Sequence, residues 1–328
     1  VGKALGSLLM DKSLCDGDDD RVASTDSRVG RILAGGCTAF LVSNGAVLTA
    51  GHCVDFDPDD SGPQLPDGVL DLSGVVEFNV PLSTSSGGVV MADADDQYPI
   101  DTGSVEWNFD GSGQGYGKDW AIFSVFPNAN NGDMAHVTRG FFRVTREKPA
   151  VNNTIRITGF GADDTPPGST GGRNSRNKTE QTDTGPYKGE SSSGGNIWHT
   201  HRADTEGASS GSPIIWESRN IVIGIHTNAG CTASGGTNAG TSFEHNPLET
   251  ALDDFPGSST VYVDRGMPAL ATEDGTVFRP YNTVAEGVSA VSTYGRVHLV
   301  EGYYYDETLT IDRAMTLVAP VGSVTIGE

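Results

Sequence analysis

The chain has no long apolar run: none of its 328 residues falls in a stretch near the roughly 18 hydrophobic positions that a membrane-spanning helix needs. Basic residues are scarce as well. Lys and Arg number 21 against 43 Asp and Glu, a formal charge of -22, with acidic clusters at DGDDD (16–20), DFDPDD (55–60) and DADD (93–96). Phosphate backbones need a basic face, so nucleic acid is excluded as a partner. Helical periodicity is nearly absent; NPLETALDDF (246–255), with Leu248 and Leu252 at i and i+4, is the clearest case. The opening VGKALGSLLMDKSL is too short and polar for an intact signal peptide, so any such peptide is expected to have been removed or left out. It reads as a short amphipathic segment with Leu5, Leu8 and Leu9 on one face.

Only four cysteines are present, which allows three pairings. Cys37 and Cys53 bracket a hairpin-like stretch that a disulfide closes easily, leaving Cys15 and Cys231 as a long-range pair. Paired cysteines imply an oxidising compartment, hence a secreted or periplasmic protein. Asp55, Asp57 and Asp59 alternate as hard oxygen ligands for calcium could, but the run lacks the glycine and glutamate of a calcium loop. No other cofactor is expected.

From about residue 28 to 257 short apolar runs alternate with Gly, Asn, Asp and Pro: TAFLVSNGAVLTA, GVVEFNV, WAIFSVF, TIRITGF, PIIWE, NIVIGIHT. That pattern predicts an all-β fold, an antiparallel barrel or sandwich. The polar stretch 161–195 reads as an exposed loop excursion or a decorated hairpin. Past FPGSST (255–260) the composition changes, and 258–328 forms a third unit after an N-terminal arm (1–27) and the main domain.

Three fragments carry chemistry. LTAGHC sets His52 at a strand end, GKDWAI sets Asp119 at a strand start, and ADTEGASSGSP (203–213) offers Ser209 and Ser210 in a tight turn. A serine hydroxyl becomes nucleophilic when a histidine takes its proton and a carboxylate orients that histidine.

TAGHC, DWAI and SGSP, in that order, resemble the chymotrypsin-fold serine endopeptidases. DDR (19–21), DT (204–205), SGSP (210–213) and VIGIH (222–226) resemble more closely the bacterial glutamyl endopeptidase branch, over residues 15 to 255. The resemblance implies a double β-barrel and a secreted peptidase that works through an acyl-enzyme. His52, Asp119 and Ser210 would be its triad, and the N–H groups of Ala208 and Ser210 its oxyanion hole, worth about 3 kcal/mol per donor. Two positions depart from the pattern. Ser209 stands where enzymes that mature by cleavage carry an aspartate for the new N-terminus. Ala208 stands where glycine is usual; a positive φ there would cost about 1 to 2 kcal/mol, so the hole is expected to form only with substrate.

The branch reads a glutamate side chain through a threonine and a histidine, matched here by Thr205 and His226. Asp204, six positions before Ser210, is the competing anchor for Arg or Lys. Thr227 and Asn228 follow His226 and are expected to shape or gate the pocket. His199 and His201 read as strand residues flanking the pocket wall; two ligands at i and i+2 make no metal site. Residues 258–328 resemble the opening coils of a right-handed parallel β-helix, either truncated or packed on the main domain. The substrates implied are proteins or peptides, without membrane insertion. The alternative function is a catalytically weak, protease-like binding protein whose β-helix recognises polysaccharide or a cell surface.

Overall fold

The computed structural model describes residues 13–33, 36–55, 69–109, 115–165, 172–255, 257, 259–268, 272–300, 302–304 and 308–327. Leu5, Leu8, Leu9, Asp57 and Asp59 lie outside these. The arm contributes β1 (Val22–Ala23). Six strands follow: β2 (Val29–Ile32), β3 (Thr38–Leu41), β4 (Val47–Thr49), β5 (Val75–Glu77), β6 (Gln97–Asn108) and β7 (Trp120–Val125). They close into an antiparallel barrel in the order β2-β3-β4-β7-β6-β5.

After a five-residue helix α1 (Ala135–Arg139) comes β8 (Thr154–Gly159), then a small pair, β9 (Asp164–Thr165) and β10 (Gly172–Arg173). Next are β11 (Gln181–Ser193), β12 (Asn196–His201), β13 (Pro213–Trp216), β14 (Ile221–Asn228) and β15 (Asn238–Ser242). The sheet runs β8-β13-β14-β15-β12-β11, and β11 pairs back onto β8, closing a second barrel of six strands. Each barrel is filled by the inward residues of its apolar runs, as alternation requires. Phe40, Leu48, Ile122, Val222 and Ile225 share one buried cluster that runs between the two.

The polar stretch 161–195 is only partly a loop. Its second half is the longest strand among the described residues, with 181–186 paired to β8 and 187–193 to β12. Of the two alternatives, residues 181–201 form the hairpin. The strand is hard to see in the sequence because backbone pairing on both edges holds it, while few of its side chains reach the core.

Helix α2 (Asn246–Asp254) follows the second barrel and buries Leu248 and Leu252. Beyond it lie β16 (Thr260–Val263), α3 (Val284–Ala290), β17 (Arg296–Leu299), β18 (Gly302–Tyr304), β19 (Thr316–Val318) and β20 (Val324–Ile326). Pairing changes from antiparallel to parallel here: β16, β17 and β19 form one sheet, β18 and β20 another. The architecture changes near residue 257, but the core does not stop there. Tyr262, Val277 and Phe278 pack in the same cluster as Phe243, Leu248 and Leu252, and Arg143 makes a two-pronged ion pair with Asp264 at 2.6 and 2.9 Å.

Phe278 is fully buried and stacks at 5.8 Å between ring centroids on Phe243, across this boundary. Phe278→Ala is expected to destabilise the whole protein by about 3 to 5 kcal/mol. In urea denaturation followed by tryptophan fluorescence, the barrels and the C-terminal unit should lose stability together in one transition.

Candidate active site

Ser210 lies on a turn of the second barrel that is bonded to the first, the barrel that carries His52 and Asp119. Strand β4 ends in a single 3-10 turn, Gly51–Cys53, which carries His52. Asp119 immediately precedes β7, the neighbour of β4. The pairing of those two strands brings the side chains together: Nδ1 of His52 lies 2.6 Å from Oδ2 of Asp119, and the His52 backbone N–H donates to Oδ1 at 3.0 Å. Both residues are buried. An acceptor on Nδ1 places the ring proton there, so Nε2 keeps its lone pair, the tautomer a general base requires. Nε2 is buried with no hydrogen-bond partner among the described residues, Ser210 included. Catalytic hydrogen bonds often tighten only when substrate binds.

The second barrel delivers Ser210 on the turn before β13. Strand β3 of the first barrel holds that turn: the Thr38 N–H donates to the Ser210 carbonyl at 2.9 Å, and Thr38 Oγ1 donates to the Ala208 carbonyl at 3.1 Å. Approach this close demands glycine at 211, where φ is +87° and a Cβ would stand 2.0 Å from the Thr38 carbonyl oxygen. Ala208 has φ of +79° without substrate, so the strained conformation is present in the resting chain and not delayed until binding. The N–H groups of Ala208 and Ser210 donate to no carbonyl among the described residues. Both are available to an oxyanion. Ser209 accepts a hydrogen bond from the Glu206 N–H at 3.3 Å and helps close the turn.

The pairings Cys37–Cys53 and Cys15–Cys231 are both formed. Cys15 lies in the arm, and the arm is part of the site. Ser13 forms an antiparallel bridge with Thr205, and the Cys15 N–H donates to Asp204 Oδ1 at 2.7 Å. The other Asp204 oxygen accepts from the Asp20 N–H at 3.3 Å. The carboxylate that competed for the pocket is thus engaged by arm amides. Burial pushes its pKa up to about 6, against those hydrogen bonds and with help from Asp183 and Asp16.

Thr205 Oγ1 accepts from Asn238 Nδ2 at 3.2 Å, which leaves its own O–H free to donate. Asn238 also donates to the Ala203 carbonyl at 2.9 Å and accepts from the N–H groups of Gly230 and Cys231 at 3.0 and 3.1 Å. It ties the arm, the residues before the nucleophile and the Cys231 loop together. Neither Asn238 nor Ser13 was singled out from the sequence. The antiparallel β12–β15 pairing, which sets Asn238 opposite His201, reveals the first, and the bridge to Thr205 the second.

His226 on β14 lies next to His201, with Nδ1 and Nε2 3.3 Å apart. Ala203 N–H donates to His201 Nδ1 at 3.3 Å, so the His201 proton sits on Nε2 and faces His226, whose ring also meets the Ala239 carbonyl. His199 is satisfied separately, by the Tyr187 hydroxyl at 3.0 Å and the Ile223 carbonyl at 3.1 Å. Burial lowers all three, His226 to about 3 and His199 to about 4, with His52 a further cause for His226 and neighbouring imidazoles for His201. All are neutral near pH 7. Thr227 donates to Asn228 Oδ1 at 2.6 Å at a bulge after His226, and both side chains are buried. Asp55, the one calcium candidate within the described residues, is buried and accepts from Trp107 Nε1 at 3.4 Å.

A histidine whose pKa is lowered by folding stabilises the native state above its unfolded value, near 6.5, and that contribution is lost as pH falls towards the folded value. His226→Asn should therefore lose less stability than wild type between pH 6.5 and 4, read from calorimetric melting temperatures at matched ionic strength. Parallel curves for the two proteins would contradict a buried neutral His226.

Residues 37–225, which include His52, Asp119 and Ser210, match the family described as the trypsin-like peptidase domain. No curated protein sequence matches significantly. Solved structures similar to the chain include a Glu endopeptidase in complex with MPD, at TM-score 0.48 and 18% identity over 73% of this chain and 97% of the other. A mutant of human heparin binding protein gives TM-score 0.47 and 13% identity over 71% of this chain and 94% of the other. The protease Anisep from Arthrobacter nicotinovorans gives 0.44 and 15%, over 68% and 93%. Likeness of that degree adds nothing to the family match, which spans more than half the chain. The chain belongs to the trypsin-like peptidase domain family.

Proposed function

We propose that the protein is a secreted serine endopeptidase in which Ser210, His52 and Asp119 cleave peptide bonds through an acyl-enzyme. The observation that carries this reading is the buried His52–Asp119 hydrogen bond at 2.6 Å, which leaves Nε2 as a free base. Ser210 Oγ attacks the scissile carbonyl carbon while its proton passes to His52 Nε2. The carbonyl π electrons move to oxygen, which the N–H groups of Ala208 and Ser210 receive. His52 then protonates the leaving amine, the C–N bond breaks, and water, deprotonated by His52 in turn, hydrolyses the ester. The two disulfides support an oxidising compartment, and no described helix is long and apolar enough to cross a membrane.

The preferred residue before the cut bond is glutamate in this reading. Thr205 retains a hydroxyl proton and His226 is a neutral imidazole, so a carboxylate would be read by hydrogen bonds and not by an ion pair. The competing preference for Arg or Lys would need the Asp204 carboxylate, which the arm amides already occupy. The parallel pairing of residues 260–326 supports reading the C-terminal unit as opening coils of a β-helix carried by the peptidase.

A peptide library with mass-spectrometric detection of each cut tests both levels. Cuts after Glu are expected, with Ser210→Ala reducing turnover by about 10⁶-fold and Asp119→Asn by about 10⁴-fold. Undiminished hydrolysis by Ser210→Ala would remove the serine mechanism, and cuts confined to Arg or Lys would remove the glutamate preference.

A further inference from the structure

The turn that carries Ser210 is pinned by its carbonyls. Each one from Glu206 to Ser210 has a donor: Glu206 the Ser209 N–H at 2.9 Å, Gly207 the Ala162 N–H at 2.8 Å, Ala208 the Thr38 hydroxyl at 3.1 Å, Ser209 the Ser212 N–H at 3.0 Å and Ser210 the Thr38 N–H at 2.9 Å. All but one of these donors are backbone amides, which almost any residue supplies. The exception, on Ala208, is a side chain. Thr38 is fully buried at the start of β3, and the direction of its hydroxyl is set from both sides. Oγ1 accepts the Phe160 N–H at 2.9 Å, and its own proton goes to the Ala208 carbonyl. The main chain at Thr38 is fixed in turn, since its carbonyl accepts the Thr49 hydroxyl at 2.7 Å.

A peptide unit is planar, so fixing its carbonyl also fixes the N–H on its opposite side. The Ala208 N–H shares a plane with the Gly207 carbonyl, and the Ser210 N–H shares one with the Ser209 carbonyl. Between them lies the plane of the Ala208 carbonyl and the Ser209 N–H, which sets the angle between the two oxyanion donors. The φ of Ala208 is the rotation between the first plane and this middle one. It stands at +79°, a value that alanine avoids, so the turn relaxes unless both planes are held. Ala162 holds the first and Thr38 the second. Without the hydroxyl, the buried Ala208 carbonyl would lose its donor and the middle plane would turn in search of another, carrying the two N–H groups out of line.

We propose that Thr38, through its hydroxyl, is the positioning residue of the oxyanion hole: it locks the plane between the two donors, so that the Ala208 and Ser210 N–H groups are aligned before substrate arrives. The inference rests on the serine-peptidase reading and deepens it. Ser209, which stands where cleavage-activated relatives carry an aspartate, bonds within the turn instead, accepting the Glu206 N–H at 3.3 Å. The first barrel, which carries His52 and Asp119, thereby sets the oxyanion donors of the second as well as the nucleophile.

The test uses the whole chain as wild type, as Thr38→Val, which keeps the shape and the main-chain N–H but has no hydroxyl, and as Thr38→Ser, which keeps the hydroxyl. Three readings are taken: kcat and KM on a library-derived peptide, affinity for a peptide aldehyde whose hemiacetal oxygen occupies the hole, and affinity for the same peptide with the scissile C=O replaced by CH2, which fills the pocket but offers the hole no oxygen. Thr38→Val should lower kcat and aldehyde affinity together by about 10- to 100-fold, the upper figure being the scale of one lost oxyanion donor. KM and affinity for the reduced peptide should stay within about threefold, a split that general loosening would not produce. The pH midpoint of kcat should not move, because His52 and Asp119 are untouched. Thr38→Ser should stay within about threefold of wild type in every reading. Thr38→Val with kcat within about twofold of wild type, or with both ligands weakened equally, would overturn the proposal. So would Thr38→Ser as slow as Thr38→Val, which would take the effect away from the hydroxyl. Should Thr38→Val fail to fold, Thr38→Ala decides by the same readings, because water admitted to the vacated space leaves the Phe160 N–H and the Ala208 carbonyl satisfied but unanchored to β3. A wild type inert towards both peptide and aldehyde would overturn the peptidase reading itself, and this inference with it.

Discussion

Thr38 joins the two halves of the chemistry. It belongs to the first barrel, as His52 and Asp119 do, yet its N–H and hydroxyl hold the Ser210 and Ala208 carbonyls of the second. A base and its carboxylate can be arranged within one barrel, because β4 and β7 are neighbours. Ser210 comes from a turn of the other barrel, 158 positions after His52 by residue number. Its distance from the base is therefore set by how tightly β3 grips that turn. Gly211 allows the grip and Thr38 supplies it.

The second constraint is the arm. Residues 13 to 23 add a bridge at Ser13, a disulfide at Cys15, a buried guanidinium at Arg21 and a strand at Val22–Ala23. Each of these bonds lands on the second barrel or on the residues leading to Ser210. Such a short segment could not fold by itself. Its order derives from the partners it finds more than 150 residues later in the chain, and in return it covers Asp204, Thr205 and Glu206, which lead to Ser210. The acidic character of the arm, with Asp16, Asp18, Asp19 and Asp20, has a structural use in at least one case, since Asp19 is the clamp on Arg21.

What the sequence disclosed, and what it hid, follows from the range of the interactions. His52, Asp119 and Ser210 sit in short motifs whose local geometry is nearly self-contained, so order and context single them out as candidates, and the fold brings His52 and Asp119 into contact. Cys15–Cys231 followed once Cys37–Cys53 was paired across its hairpin. Asp204 was ambiguous, because a carboxylate six positions before the nucleophile looks the same whether it faces a pocket or a backbone amide; only the docked arm separates the two. Asn238 and Ser13 were not legible at all, and Arg21 and Glu206 were quoted within motifs without any role of their own. Each matters through a partner far away in sequence, and none lies in a pattern that local periodicity or turn chemistry would single out. β11 was half hidden for a related reason: its place depends on pairing with β8 and β12, not on apolar content.

The central claim is that Ser210 is a nucleophile activated by His52 and Asp119 in the resting fold. Reaction of the whole chain with a fluorophosphonate, followed by digestion and mass mapping of the adduct, addresses it without any assumption about substrate. The account predicts one adduct, on Ser210, absent from Ser210→Ala and formed much more slowly in Asp119→Asn. No adduct on the folded wild type, or an adduct on Ser209 or elsewhere, would contradict it.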